Sequence, residues 1–119
     1  MRIFLDDLRD PEEWLPNMGW FRGRDPKELG EWAWIKSAFE AITLLETGHV
    51  VEVSLDFDLG DRDEVGDGYL VVTWVEERVA MDDDYIPPIL HVHSSNMAGR
   101  QRLEAAVASI ERLVARRAG

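Results

Sequence analysis

Reactive side chains gather at three places in this chain, each just after a short apolar run. Asp6 and Asp7 follow Ile3-Phe4-Leu5. Asp56-Phe57-Asp58 follows the run from Val50 to Leu55. His93-Ser94-Ser95-Asn96 follows Ile89-Leu90-His91-Val92. Carboxylate oxygens are hard ligands. Two or three of them, with waters, suit a magnesium or manganese ion. Asp6, Asp7 and Asp56 are the expected metal ligands. Asp58, two residues beyond Asp56, falls on the same side of an extended chain. His93 can act as acid, base or phosphate contact. Ser94 and Asn96 offer hydrogen bonds to a phosphoryl oxygen, and Arg9 and Arg100 offer charge. The chemistry such a set supports is metal-assisted attack of water on a phosphate ester, with Asp56, Asp58 and His93 as the catalytic groups.

The groups form one site only if the three runs are neighbouring parallel strands whose ends share one sheet edge. The chain has the alternation that requires. Arg2 to Leu5 reads as the first strand. Asp10 to Lys27 is broken by Pro11, Pro16, Gly19, Gly23 and Pro26, with a short helical turn near Glu12 to Leu15. Its Trp14, Trp20 and Phe21 suggest that it packs onto the body or flanks the site. Glu31 to Lys36 reads as a second strand, with Trp32, Trp34 and Lys36 on one side. Ser37 to Glu40 has the spacing of a capping box, and Gly48 is a natural stop for the helix between. Val50 to Leu55 is the third strand, read as buried, and Gly60 to Gly68 a loop. Val71, Val75 and Val79 predict a helix over Tyr69 to Ala80. Ile89 to His93 is the fourth strand. Leu103, Ala106, Val107, Ile110, Leu113 and Val114 keep the helical period to the end. The expectation is an α/β fold: a parallel sheet of about four strands with helices on both faces, in one domain over residues 1–119.

Composition narrows the function. The 119 residues are 45% apolar, enough for one modest core. No cysteine is present, which excludes disulfides, zinc–thiolate sites and thiol catalysis. The net charge of −11 repels nucleic-acid backbones and anionic membranes, so neither a duplex nor a membrane is an expected partner. No signal-peptide core or spanning run is visible, and a cytoplasmic protein is expected. Phosphate loops, dinucleotide fingerprints and nucleophile elbows are absent.

Blander readings compete at several positions. Asp82-Asp83-Asp84 reads as solvated surface. Asp61, Asp63 and Asp67 do not make a calcium loop. Counted from Asp61, the fifth position is Val65 and the twelfth is Val72. His91 lies deeper than His93 and reads as structural. Asn96 is also placed to cap the last helix. Asp6 and Asp7 with Arg9 also suit a plain loop cap, and Arg100 plain surface charge.

Several motifs recur in a fixed order: Leu5-Asp6-Asp7-Leu8-Arg9-Asp10-Pro11, Ser54 to Gly60, Gly68-Tyr69, and His91 to Asn96 with Gly99. This succession resembles the cyclic-phosphate processing receiver-like family, bacterial and phage proteins related to response-regulator receiver domains. The resemblance implies a receiver-like (flavodoxin-like) fold. It implies a metal pocket of Asp6, Asp7 and Asp56, with Asp58, His93, Ser94 and Asn96 beside it. The implied activity is metal-dependent processing of a small cyclic phosphate. One departure stands out. The family carries a histidine between the two aspartates, where this chain has Phe57. If that histidine moves protons, His93 has to replace it. A receiver switched by phosphorylation of Asp56 is the alternative. Such a switch needs a lysine on a fifth strand, and the only lysines here are Lys27 and Lys36. A catalytically silent metal- or protein-binding module is the third reading.

Overall fold

In the computed structural model, which describes residues 1–118, four strands form one parallel sheet in the order β2-β1-β3-β4. The strands are β1 (Arg2–Leu5), β2 (Trp32–Ile35), β3 (Glu52–Leu55) and β4 (Ile89–Val92). The helices are α1 (Pro11–Trp14), α2 (Ala38–Leu45), α3 (Arg62–Val65), α4 (Gly68–Met81) and α5 (Met97–Ala118). The fold is the expected receiver-like α/β sheet.

Alternation along the strands divides the sheet into two unlike faces. One face is apolar. Ile3, Leu5, Ile35, Val53 and Leu55 are buried there under α2, α4 and α5, in a core that includes Ala41, Val71, Val75, Leu103 and Ile110. The other face carries Phe4 and Trp32 among polar neighbours: Arg2, Glu52, Ser54, His91 and His93. So narrow an apolar strip cannot hold a long amphipathic helix. It is covered instead by α1 and three 3₁₀ turns, Leu15–Asn17, Gly19–Phe21 and Pro26–Glu31. Leu15 and Phe21 close a second small core over Phe4 and Trp32.

Local chemistry explains where elements begin and end. Ser37 caps α2, its hydroxyl accepting from Glu40 N. Gly48, at φ +79°, turns the chain after it. The loop expected over Gly60 to Gly68 contains α3, because the Asp61 carboxylate accepts from Asp63 N and nucleates a turn. Asp67 does the same for α4 through Leu70 N. The valines at four-residue spacing form the buried stripe of α4. β3 is shorter than expected, starting at Glu52 rather than Val50. Pro26–Glu31 forms a turn capped by Asp25 and delays β2 to Trp32. Asp82, Asp83 and Asp84 lie exposed on the surface. No helix among the described residues is long and apolar enough to cross a membrane.

Candidate functional site

Three consecutive backbone hydrogen bonds place the site residues at one level. Asp6 N donates to Ile35 O at 3.1 Å, Asp56 N to Leu5 O at 3.0 Å and His93 N to Leu55 O at 2.8 Å. Each residue is therefore the first beyond its strand, pinned by the strand beside it. Asp6, Asp7 and Asp56 consequently present carboxylate oxygens within 4.8 Å of one another. Asp6 and Asp56 are buried, at 1% and 7% exposure, and Asp7 is half-buried.

The three carboxylates are unequal. Asp6 Oδ1 accepts from Leu8 N at 2.8 Å and Arg9 N at 2.9 Å. Its Oδ2 accepts from Arg9 Nη1 at 3.2 Å and lies 3.1 Å from His93 Nε2. Burial raises the Asp6 pKa, but hydrogen bonds from His93 and the two amides outweigh it and hold the carboxyl at about 2. Asp56 goes the other way, pushed up first by burial and then by the Asp6 charge. Asp56 Oδ1 accepts from Phe57 N, and its Oδ2 lies 3.6 Å from Arg9 Nη1. Asp7 has no hydrogen bond or ion pair on its carboxylate among the described residues. Crowded anions of this kind call for a cation. An all-oxygen donor set with one free carboxylate fits a hard divalent ion, and Asp6, Asp7 and Asp56 can hold one.

His93 sits inside a relay. Ser54 Oγ lies 2.6 Å from its Nδ1, Asp6 Oδ2 lies 3.1 Å from its Nε2, and the ring stacks on Phe4 at 4.3 Å. Asp6 as a carboxylate only accepts, so His93 Nε2 carries the proton and Nδ1 takes the Ser54 hydroxyl. An acid–base role at the substrate needs a free ring nitrogen, and both are engaged within the protein. The side chain is 7% exposed. His91 is separate. Its Nε2 meets Glu52 Oε2 at 2.6 Å and its ring lies flat under Trp20 at 3.6 Å, a structural setting.

Of the remaining expected residues, Asp58, Arg9, Ser94 and Arg100 line two neighbouring cavities, and Asn96 lines neither. An acidic cavity of about 470 Å³ is bounded by Asp6, Asp7, Asp56, Asp58 and Gly60. A second, of about 290 Å³, is bounded by His93, Ser94 and Arg100 on one side and Trp14, Asn17 and Met18 on the other. Arg9 and Ser95 belong to both, and Arg9 Nη2 donates to Ser95 Oγ at 3.2 Å. Asp58 is exposed and accepts from Asn96 Nδ2 at 3.0 Å. Asn96 Oδ1 caps α5 by accepting from Gly99 N at 3.0 Å, so both ends of this amide are used. Ser94 Oγ accepts from Asn96 N at 3.2 Å. Arg100 pairs with Glu104 at the cavity rim, half-exposed.

Comparison with family models adds one finding. The model of the cyclic-phosphate processing receiver domain matches residues 1–109. The chain belongs to that family. No curated protein and no solved structure gives a significant match. Within this receiver domain two glycines of the sequence motifs acquire physical reasons. A Cβ on Gly68 would stand 2.0 Å from Asp56 O, so only glycine lets α4 start against the strand end. A Cβ on Gly99 would stand 2.4 Å from the Phe57 ring. Phe57 itself is buried at 3% in the helical-face core, with Arg62 and Arg102 over its ring at 5.4 Å and 5.6 Å. The side chain at position 57 thus packs under α5 and does not line the acidic cavity.

Trp14 borders the site, one of the two places its segment suggests, while Ser54, Asn17 and Met18 join this neighbourhood without being expected there. Only Ser54 carried a clear signal. Glu52, Ser54 and Asp56 alternate with Val53 and Leu55, the mark of a strand with one polar face.

Proposed function

We propose that this receiver domain is a metal-dependent phosphoesterase that opens a small cyclic phosphate. The observation that supports it most is the shared wall of the two cavities. Arg9 and Ser95, tied by a hydrogen bond, stand between a carboxylate cluster suited to a cation and a second cavity open to a ligand. A phosphate at that wall meets donors on one side and the metal ligands on the other.

Asp6, Asp7 and Asp56 hold the cation. When bound there, magnesium or manganese supplies polarisation of a phosphoryl oxygen and an activated water. Arg9 and Ser95 bind phosphoryl oxygens, with Ser94, Asn96 and Arg100 at the same end of β4 and α5. Water adds to phosphorus and one ring P–O bond breaks, giving a phosphomonoester and an alcohol. The departing alkoxide takes up the proton that the water loses. Asp58, exposed at the cavity, relays that proton. His93 acts through Asp6, fixing its orientation and charge.

The test is incubation of the pure chain with Mn²⁺ or Mg²⁺ and a panel of cyclic phosphates. Turnover that vanishes on chelation and in an Asp56→Asn variant is expected. Turnover equal in that variant, or none with any substrate, sinks the reading. A mass adduct on Asp56 after exposure to acetyl phosphate would instead favour a phosphorylated switch. Metal binding with neither outcome would favour a silent module.

A further inference from the structure

We propose that the cavity beside the acidic cluster receives a nucleobase, so that the cyclic phosphate processed is that of a single nucleoside. The inference rests on the function proposed above, and adds what occupies the side of the Arg9–Ser95 wall away from the metal ligands.

The two cavities differ in chemistry across a wall one side chain thick. On the acidic side every lining group but Leu8, Gly60 and the shared pair is a carboxylate. On the other side stand an indole, a thioether and an amide: Trp14, Met18 and Asn17. A ligand held at the wall by its phosphate can therefore place a flat, largely apolar group on the side away from the carboxylates. Trp14 offers that group a π surface. It is 43% exposed although it borders a cavity, and the Arg9 guanidinium lies 4.9 Å from its ring centroid. Stacking on an aromatic is tolerant of base identity, since every base has a π-face. Met18 adds a polarizable flank, and sulfur–aromatic contact is favourable. Asn17 donates Nδ2 to Glu13 O at 3.1 Å, which orients its amide and leaves the oxygen as an acceptor for a base N–H.

Size selects a mononucleotide. Ligand sites commonly run from roughly 300 to 1,000 Å³. The cavity, at about 290 Å³, lies at the low end and takes one base with part of its ribose, not two. Charge agrees. The chain as a whole repels anions at −11, yet Arg9 and Arg100 both face this cavity. An anionic nucleotide meets two guanidinium groups here, beside the carboxylates suited to a cation.

The ring-opened products test this without turnover. In the presence of Mn²⁺, the full chain is titrated calorimetrically with adenosine 3′-monophosphate and with ribose 3-phosphate, which lacks the base. The nucleotide is expected to bind about tenfold tighter or more, the size of one base–aromatic stack. Trp14→Ala should erase that difference while leaving ribose 3-phosphate unchanged, and Trp14→Phe should restore most of it. Met18→Ala serves as a second variant should Trp14→Ala prove unfolded by circular dichroism. Equal affinity for the two probes in the wild-type chain overturns the inference and leaves the phosphate reading intact. Equal weakening of both probes by Trp14→Ala also overturns it, since Trp14 then serves only to seat Arg9. Failure of both probes to bind with Mn²⁺ present sinks the phosphate reading itself, and the inference with it.

Discussion

Arg9 occupies the position where a cation is most needed, and replacing it should separate two properties that normally move together. Its Nη1 lies 3.2 Å from Asp6 Oδ2 and 3.6 Å from Asp56 Oδ2. It is the one guanidinium or ammonium paired with the cluster among the described residues. Arg9→Met keeps the aliphatic stem and removes the charge. Unit charges about 3.5 Å apart attract by roughly 5 kcal/mol at an effective dielectric constant of 20. Desolvation and side-chain ordering offset most of that. A net loss of about 1–3 kcal/mol remains for the metal-free protein, because two buried carboxylates lose their counter-charge. In a domain this size, each kcal/mol lowers the melting temperature by about 3–6 °C. Bound Mg²⁺ restores the missing charge, so saturating metal should recover most of the loss. By linkage the variant then binds Mg²⁺ tighter, by about tenfold for each 1.4 kcal/mol.

Phosphate binding should move in the opposite sense, since the donor at the cavity wall is gone. Two measurements suffice: urea unfolding with and without Mg²⁺, and calorimetric titration of metal and of inorganic phosphate. Unchanged stability without metal, together with weaker Mg²⁺ binding, would refute the reasoning. Arg9 would then be a support of the metal-bound cluster and not its substitute.

Two further perturbations probe the frame around the site. Glu52 is buried on β3 and receives Arg24 twice, at 2.7 Å each, Arg2 at 3.0 Å and His91 at 2.6 Å. The Arg24 hydrogen bonds above all hold its carboxyl at about 2, against an ordinary value of 4.5. A depressed acid contributes its stability above the unfolded pKa and loses it as pH falls through the folded one. About 3 kcal/mol should therefore disappear between about pH 5 and pH 2, read as falling urea midpoints. Glu52→Gln should flatten that slope; an unchanged slope would place the acid sensitivity elsewhere. Phe57→His introduces the histidine that the sequence resemblance implies, at a position that packs under α5. It should cost about 1–3 kcal/mol in urea unfolding, as a buried imidazole without a built partner, and leave metal affinity unchanged. A gain in turnover on a cyclic phosphate would show instead that position 57 reaches the chemistry.

The sheet edge was legible because polar residues interrupt apolar runs at strand ends, and parallel pairing does the rest. Asp6, Asp56 and His93 needed only register to become neighbours. The second face was less legible. β3 read as a buried strand because Val53 and Leu55 are apolar and the whole strand is indeed buried. Yet Glu52 and Ser54 point away from the helices, and they are buried by polar partners that lie far off in sequence: Arg24 at 28 residues, His91 and His93 at 39. The alternation of Glu52 and Ser54 with Val53 and Leu55 marks a polar face, but nothing in either segment alone says that distant polar groups bury it. The same holds for Trp14 and Met18, whose place at the second cavity depends on how a proline-broken segment crosses the sheet. α3 was missed for a local reason. Asp61 reads equally as an acid in a loop and as a helix cap, and only the backbone decides.

This division of the sheet bears on how the site works. The helical face fixes the backbone: Gly68 and Phe57 close against Asp56, and Gly99 closes against Phe57. Three strand-end hydrogen bonds then leave Asp6, Asp56 and His93 little freedom except in their side chains. His93 and Ser54 remove that freedom from Asp6. What stays adjustable is Asp7, whose carboxylate is unengaged, and Arg9, held by two acids, one hydroxyl and the Trp14 ring. A cation held by Asp6, Asp7 and Asp56 would add charge next to Arg9 and favour its contact with Ser95 over its pairing with the two acids. That is where a phosphate would meet it. On the proposed function, electrostatics would then order binding: metal first, and a phosphate afterwards at the Arg9 guanidinium. A chain of net charge −11 has few other means of holding a phosphate ester.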